Sequence, residues 1–261
     1  MKKYYRKPHR YKKRKSLWGK KSSALVFLSL VVVGAAFYGL FIWQALWVEK
    51  ITISGEQKIA EEEIDFLVKK NLENTILFFK TKSILKVDVG QIKEDILNAF
   101  PQIVSAEVKR SFFDAINVQI TERTASALWC ENENCFLLDN RGVIFEEALP
   151  DSKLIVVDAV QPPGELFLGK TVIAEDKITQ ILAIQNKLAE TAKISIKKAV
   201  LVSNERLDVK TMDDWMIYFN LKGNLDWQVK ELKLTLEEQI SPEKRQELEY
   251  IDLRFSRVYY K

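Results

Sequence analysis

The sequence predicts an α+β protein: a single N-terminal transmembrane helix, then a small βααββ module, then a mixed β-sheet domain with flanking helices. Three observations predict it. A long uncharged apolar segment follows a strongly basic N-terminus. Two helical periodicities and a hairpin lie within residues 48–122, and strand patterns alternate with helical ones from residue 123 to the C-terminus. A chain of 261 residues has room for one large or two small domains.

The basic N-terminus predicts the orientation of the chain. The first 21 residues hold eleven Lys and Arg and no acidic residue, whereas the remaining 240 hold 29 basic and 36 acidic residues, a net charge of −7. Basic flanks of apolar segments stay in the cytoplasm, so residues 1–21 are predicted to be a cytoplasmic tail. Such a tail can bind nucleic acid or anionic lipid. We favour the interpretation that the tail determines the membrane topology and touches membrane lipid. We expect no nucleic-acid partner.

The apolar segment ALVFLSLVVVGAAFYGLFIWQALW (24–47) carries no charge. Its helix would span about 36 Å, enough for a hydrocarbon core of about 30 Å. Trp18 on one flank, and Trp43 and Trp47 on the other, suit the two membrane interfaces. We therefore expect residues 22–47 to form a retained transmembrane helix of a single-pass, type II protein with extracytoplasmic C-terminal domains. A cleaved signal peptide and a buried core helix remain the alternatives.

Residues 48–122, here called the first module, follow the apolar segment without a linker. The predicted elements are a strand at 48–55, a helix through Ile64 and Leu72, a second helix from Val89 to Phe100, and strands at 104–110 and 115–123 joined by SFFD. Pro101 ends the second helix. The pattern at 76–88 is ambiguous between a short strand and a loop. The first module should therefore be one small sheet with two helices on one side.

Residues 123–261, here called the second module, read as a mixed sheet with helices. The predicted elements are a strand reaching Trp129, a hairpin turning at Asp139–Gly142, strands at 153–158, 196–202, 206–211 and 214–221, helices at 175–191 and 226–239, and a strand over LEYIDLRFSRVYYK (248–261). In that last strand Ile251, Leu253 and Phe255 share one face, while Asp252, Arg254 and Ser256 share the other. The alternation slips near Ser256–Arg257, which predicts a bulge or bend.

The sequence contains no recognisable catalytic, cofactor or metal motif. Its one histidine, His9, lies in the basic tail, so a Ser-His-Asp or Cys-His device outside the cytoplasm is excluded. Cys130 and Cys135 lack the second ligand pair of a zinc site, and a disulfide across a turn is expected, with two unpaired thiols as the alternative. Because carboxylates are plentiful, a membrane-anchored cell-wall enzyme of carboxylate type remains the alternative to a non-enzymatic protein.

The order of these features resembles the FtsQ/DivIB family of bacterial cell-division proteins. The segments that carry the resemblance are the basic N-terminus with one span, FPQIVSAEVKRSFFDAINVQITER closing the first module, the hairpin LLDNRGVIF, and the terminal YIDLRFSRVYYK. The resemblance implies that the first module is a POTRA domain and the second the family's β domain. Thr124 departs from the family pattern, in which a proline often stands there, and the cysteine pair is not a family feature.

The resemblance implies a non-enzymatic scaffold of the division septum in the cell (inner) membrane. It implies FtsB-like and FtsL-like bitopic partners on the second module, and other division proteins on the POTRA domain and the membrane span. An FtsB-like partner would add a strand to the terminal strand. By resemblance Arg254 and Phe255 lie on that strand, with Phe255 alternatively in the core; expected exposure adds Arg257, Tyr259 and Tyr260. A generic surface receptor remains possible.

Overall fold

A computed structural model describes residues 18–41, 46–76, 79–111, 114–131, 134–149, 152–161, 164–241 and 243–261. Most of the predicted basic tail, residues 1–17, lies outside the described residues. So do residues 42–45 of the predicted membrane span, which include Trp43.

The N-terminal helix α1 extends over Trp18–Phe41 and is 24 residues long. Its large apolar side chains between Leu25 and Val33 are exposed. Within the described residues, none of the helices combines the length and the apolar character that a membrane crossing requires.

The first module has the predicted βααββ elements, with an additional short pair of strands between the two helices. Its elements are β1 (Lys50–Ser54), α2 (Glu61–Leu72), β2 (Asn74–Ile76), β3 (Phe79–Thr81), α3 (Val89–Ala99), β4 (Ile103–Ser111) and β5 (Ala115–Glu122). β5 lies in the middle of a three-stranded sheet, parallel to β1 and antiparallel to β4. The ambiguous segment 76–88 begins at the end of β2 and contains β3, and these two short strands form an antiparallel pair. Alternate residues of β4 and β5 join one face of each helix in a core that includes Ile64, Val68, Ile92, Ile96, Ile116 and Val118.

The second module is built on a nine-stranded sheet. Its elements are β6 (Ala127–Glu131), β7 (Asn134–Leu138), β8 (Ile144–Glu147), β9 (Val156–Ala159), α4 (Glu175–Lys187), β10 (Ile196–Leu201), β11 (Arg206–Thr211), β12 (Met216–Asn220), α5 (Leu225–Glu238), β13 (Tyr250–Asp252) and β14 (Tyr259–Tyr260). The strand order is β14-β13-β12-β11-β10-β9-β6-β7-β8. The core contains Trp129, Trp215 and Phe219 together with the inner faces of α4 and α5.

The predicted terminal strand over 248–261 is interrupted by a bend, at the place where a bulge or bend was predicted. The chain bends at Arg254–Arg257, and β14 runs back antiparallel to β13. The bend falls where the alternation slips, at Ser256–Arg257. Asp252 is also buried, although the alternation placed it on the polar face, because β13 is paired on both sides, with β12 and with β14. The bend turns what should be one long edge strand into two short strands.

The two modules meet at Glu122 and Arg123. One carboxylate oxygen of Glu122 accepts the backbone N–H groups of Gln57, Lys58 and Ile59, at 2.7, 3.0 and 3.2 Å. Although burial acts to raise the pKa of Glu122, these backbone hydrogen bonds outweigh it and hold the pKa below its usual value. The bonds fix the loop after β1 to the end of β5, immediately before the second module begins.

Candidate functional site

Strand β14 forms one edge of the nine-stranded sheet. Lys261 exchanges backbone hydrogen bonds with Tyr250, each 3.2 Å long, and its carbonyl also accepts the Glu249 N–H at 2.7 Å. Because bonding alternates along an antiparallel strand, the N–H and C=O of Tyr260 point away from β13. In the described part of the chain no strand pairs with that outer side. The C-terminus therefore presents backbone groups in strand geometry to a further chain.

At the opposite edge of the sheet, the start of strand β8 is covered by its own chain. The backbone N–H of Ile144 donates to the carbonyl of Lys170 at 3.0 Å, and the carbonyl of Ile144 accepts the N–H of Gly169 at 2.7 Å. Val143 forms a further bridge with Thr171. A segment that satisfies the outward backbone groups of an edge strand removes it as a template for another chain. The outward groups of Ile144 are therefore already satisfied, whereas those of Tyr260 face no strand of the described residues.

Arg254 is held by the chain itself. Its backbone N–H and its Nε both donate to one carboxylate oxygen of Asp252, and its Nη2 donates to the other oxygen at 2.6 Å. Burial acts to raise the pKa of Asp252, but the Arg254 hydrogen bonds outweigh it and leave that pKa below its usual value. The same contact raises the pKa of the Arg254 guanidinium. A bidentate pair of this kind fixes the start of the bend.

Aromatic rings surround this ion pair. The Arg254 guanidinium lies 5.4 Å from the ring centres of both Tyr218 and Phe255. Tyr218 stacks on Tyr250 at 5.5 Å, and Phe255 meets Tyr259 edge-on at 5.9 Å. The guanidinium of Arg206 lies 5.0 Å from the ring centre of Tyr218, so the layer joins aromatic rings and two guanidinium groups.

A surface pocket of about 380 Å³ opens beside this layer. The bend contributes Leu253, Arg254, Phe255 and Ser256, and the start of α5 contributes Trp227. Asn224 caps that helix by accepting the Trp227 N–H at 3.0 Å, which positions the indole on the rim. The open strand edge therefore lies next to a partly apolar recess.

The five residues predicted to bind a partner lie together at this edge, and they differ in character. Phe255, Tyr259 and Tyr260 are 54%, 52% and 45% exposed, so Phe255 is not a core residue. Arg257 is exposed within the bend. Arg254 is half-buried and already paired with Asp252, and so is not a free cation awaiting a carboxylate. The sequence reasoning missed Asp252, Tyr218 and Trp227. The spacing of Asp252 and Arg254, two apart on one predicted face, was the available signal.

The cysteine pair lies away from this edge, in the β6–β7 hairpin. Cys130 and Cys135 face each other in the strand register, with Cα atoms 4.1 Å apart, and form a disulfide. Within the described residues no group of three His, Cys, Asp or Glu side chains is placed to hold a metal ion.

Two family models match the chain. Residues 46–123 match the model described as POTRA domain, FtsQ-type, and residues 127–254 match the model of the C-terminal region of cell division protein FtsQ/DivIB. The boundary between the matches falls beside Arg123, where the two sheets meet. The second match ends at Arg254, so β14 lies beyond it.

A curated relative agrees with the family models. The cell division protein FtsQ of Anaeromyxobacter sp. (strain K) is 29% identical over 127 residues. The match covers 46% of this chain and 39% of that protein, so it spans only about two fifths of the length of the relative.

Proposed function

Because the chain belongs to the FtsQ/DivIB family of cell-division proteins, we propose that it is a non-enzymatic, membrane-anchored scaffold of the bacterial division machinery. It links early and late division proteins at the septum. Its second module binds FtsB-like and FtsL-like bitopic partners, the first of them by strand addition at β14. The first module and the membrane span bind other division proteins.

The open edge of β14 is the observation that carries this proposal. The backbone groups of Tyr260 point outward, whereas at the far edge of the sheet those of Ile144 are already bonded to residues 169 and 170. Strand addition draws affinity from the backbone ladder and specificity from alternate side chains. At β14 an added strand would therefore find the N–H and C=O of Tyr260 directed toward it.

The side chains around the edge suit recognition of a partner. Phe255, Tyr259 and Tyr260 offer exposed aromatic area, which interface cores favour. Arg257 supplies a cation on the exposed bend. Arg254, by contrast, acts through Asp252 and the rings of Tyr218 and Phe255, and its role is to hold the bend in place.

Anchoring is proposed from the N-terminal sequence. The uncharged segment 24–47 is long enough to cross a bilayer, and the large apolar side chains of α1, such as Leu25 and Phe27 at 67% and 70%, are exposed. The basic residues before it keep the N-terminus in the cytoplasm. The proposed organisation is a cytoplasmic tail (1–21), a membrane helix (22–47), a POTRA domain (48–122) and a β domain (123–261).

Removal of the last six residues tests the proposal. We expect the full-length chain to co-purify with its FtsB-like partner from dividing cells, and a chain lacking residues 256–261 to lose it. Val258 packs against the core, so the truncated chain must keep its cooperative unfolding for the result to count. Capture of the partner at normal affinity by a folded, truncated chain contradicts strand addition at this edge.

A further inference from the structure

The first module carries a second exposed site, on the side of α2 next to β1. A pocket of about 450 Å³ is lined by apolar groups of Val48, Ile51 and Phe66 together with the side chains of Lys70 and Lys82. Phe66 is 72% exposed, an unusual state for a phenylalanine on a helix whose other face is fully buried. The pocket thus combines an open apolar ring with ammonium groups.

This pocket lies where the chain leaves the apolar segment. Val48, one residue after Trp47, both lines the pocket and donates to the carbonyl of Lys82 at 3.0 Å. Ile84 donates to the carbonyl of Leu46 at 2.8 Å, and Trp47 forms a bridge with Ser83. Segment 82–84 is therefore fixed against the last residues of the predicted span, with no linker that could carry it away.

A turn on the same segment adds a second exposed apolar residue. The N–H of Lys86 bonds the carbonyl of Ser83 at 2.9 Å, which closes a turn with Leu85 inside it. Leu85 is 42% exposed although its neighbour Ile84 is buried at 1%. Lys86 is exposed as well. Exposed Phe or Leu beside lysine is the composition of surfaces that lie in the lipid headgroup region.

The lysines differ in how they are engaged. Lys69 pairs with Asp65 on α2 at 2.6 Å. Among the described residues, no ion pair is found for Lys70, Lys82 or Lys86, all exposed. Glu49 and Glu73 also line the pocket, so Lys70 and Lys82 are matched there by two carboxylates, and Lys86 adds a further positive charge outside the pocket. Each lysine near an anionic bilayer surface contributes about 1 kcal/mol of attraction, which decays within the Debye length.

We propose that this face, formed by Phe66, Leu85, Lys70, Lys82 and Lys86, docks on the surface of the membrane that anchors the chain and takes the phosphate headgroups of anionic phospholipid. The inference rests on the proposed anchoring. Lipid is the proposed occupant because Val48 joins the pocket directly to the membrane span. The bilayer surface therefore always lies within a few residues of the pocket. Docking here would fix the tilt of the first module on the membrane.

The test places an environment-sensitive probe at Phe66. Because Cys130 and Cys135 are joined in a disulfide, a single new cysteine in Phe66→Cys can be labelled with a nitrobenzoxadiazole dye in the full-length chain. The chain is reconstituted in nanodiscs of pure phosphatidylcholine or of phosphatidylcholine with phosphatidylglycerol, with and without acyl chains that carry a doxyl quencher. Phe167→Cys is the matched control: Phe167 is 62% exposed with Lys170 near its ring, but belongs to the second module.

We expect the dye at position 66 to shift to shorter wavelength and to be quenched by doxyl lipid in anionic discs. The dye at position 167 should do neither. Lys70→Glu combined with Lys82→Glu should abolish both effects, while Lys170→Glu should leave them. Retention of the chain in discs with a water-exposed dye at position 66 overturns the docking but leaves the anchoring intact. A chain that fails to enter discs overturns the anchoring and with it the docking. If the dye at position 66 shifts to shorter wavelength only when another protein is added, the docking on lipid is overturned as well.

Discussion

Arg123, the first residue of the second module, forms an ion pair with Asp139 of the same module, with Nη1 and Oδ2 2.5 Å apart and only 15% and 3% of the side chains exposed. Arg123 also donates to the carbonyl of Pro101 at 2.9 Å. The second oxygen of Asp139 accepts the N–H groups of Arg141 and Val143, each at 2.9 Å. One carboxylate thus organises the β7–β8 turn and ties it to the first module.

Replacing Arg123 by alanine leaves the Asp139 carboxylate buried without its cation. Removal of one partner from a buried pair costs about 3–5 kcal/mol. We expect Arg123→Ala to lower the free energy of unfolding by that amount in urea titrations of the full-length chain followed by tryptophan fluorescence. Lys109→Ala, which breaks an exposed pair with Glu107, is the control and should change little. Equal stability of the two variants contradicts a joining role for this pair.

Gly142 closes the turn that Asp139 organises. Its φ is +79°, and a Cβ built there would lie 1.9 Å from the carbonyl oxygen of Ile173. Gly164 has a similar φ of +77° with no atom within 4 Å of such a Cβ. Gly164→Ala should cost only the backbone strain of about 1–2 kcal/mol. We expect Gly142→Ala to be clearly more destabilising in thermal unfolding, and equal melting temperatures for the two variants would argue against the tight contact.

The disulfide closes a loop with Cys130 and Cys135 five positions apart. On the chain-entropy account, so short a loop contributes about 2 kcal/mol. Cys130→Ser combined with Cys135→Ser should lower the free energy of unfolding by about that amount under oxidising conditions. The same variant should behave like the wild type when both are measured with a reductant. A difference that survives reduction would mean that packing of the sulfur atoms, and not the closed loop, provides the stabilisation.

The Asp252–Arg254 contact predicts a pH dependence. Because the folded-state pKa of Asp252 lies below its unfolded value of about 3.9, the carboxylate stabilises the fold above that pH. The contribution is lost as pH falls through the folded-state pKa. We expect Asp252→Asn to be less stable than the wild type at neutral pH, with the gap closing in acid. A gap in urea midpoints that stays constant from neutral to acidic pH contradicts this assignment.

Elements set by local pattern were predictable from the sequence. The apolar spacing of Ile64, Val68 and Leu72 gave α2, and the Asp139–Gly142 turn gave the β7–β8 hairpin, because in both the residues that determine the structure are neighbours in the chain. The π-helical turn at Leu188–Ala192, which continues α4, carried no such signal.

Features that depend on distant partners were not predictable. Burial of Asp252 requires Arg254 to fold back and β12 and β14 to lie on either side, which alternation along one strand cannot reveal. Phe255 shares the parity of buried Ile251 and Leu253, yet the bend turns it outward. At the candidate site, Arg254 and Phe255 were predicted from the family resemblance, and Arg257, Tyr259 and Tyr260 from expected exposure. The bend decides which of them is held by the chain itself, as Arg254 is, and which are exposed, as Phe255, Tyr259 and Tyr260 are.

Tyr260 provides the most direct test of the central claim, that the open edge of β14 binds a partner strand. Proline at this position removes the one N–H that points away from β13 and leaves the Lys261–Tyr250 bonds in place, whereas alanine keeps that N–H and removes only the ring. The measurement is the affinity of full-length Tyr260→Pro and Tyr260→Ala for the FtsB-like partner. We predict that proline binds at least about tenfold more weakly than alanine, or about 1.4 kcal/mol. Equal affinities of the two variants would contradict strand addition at β14.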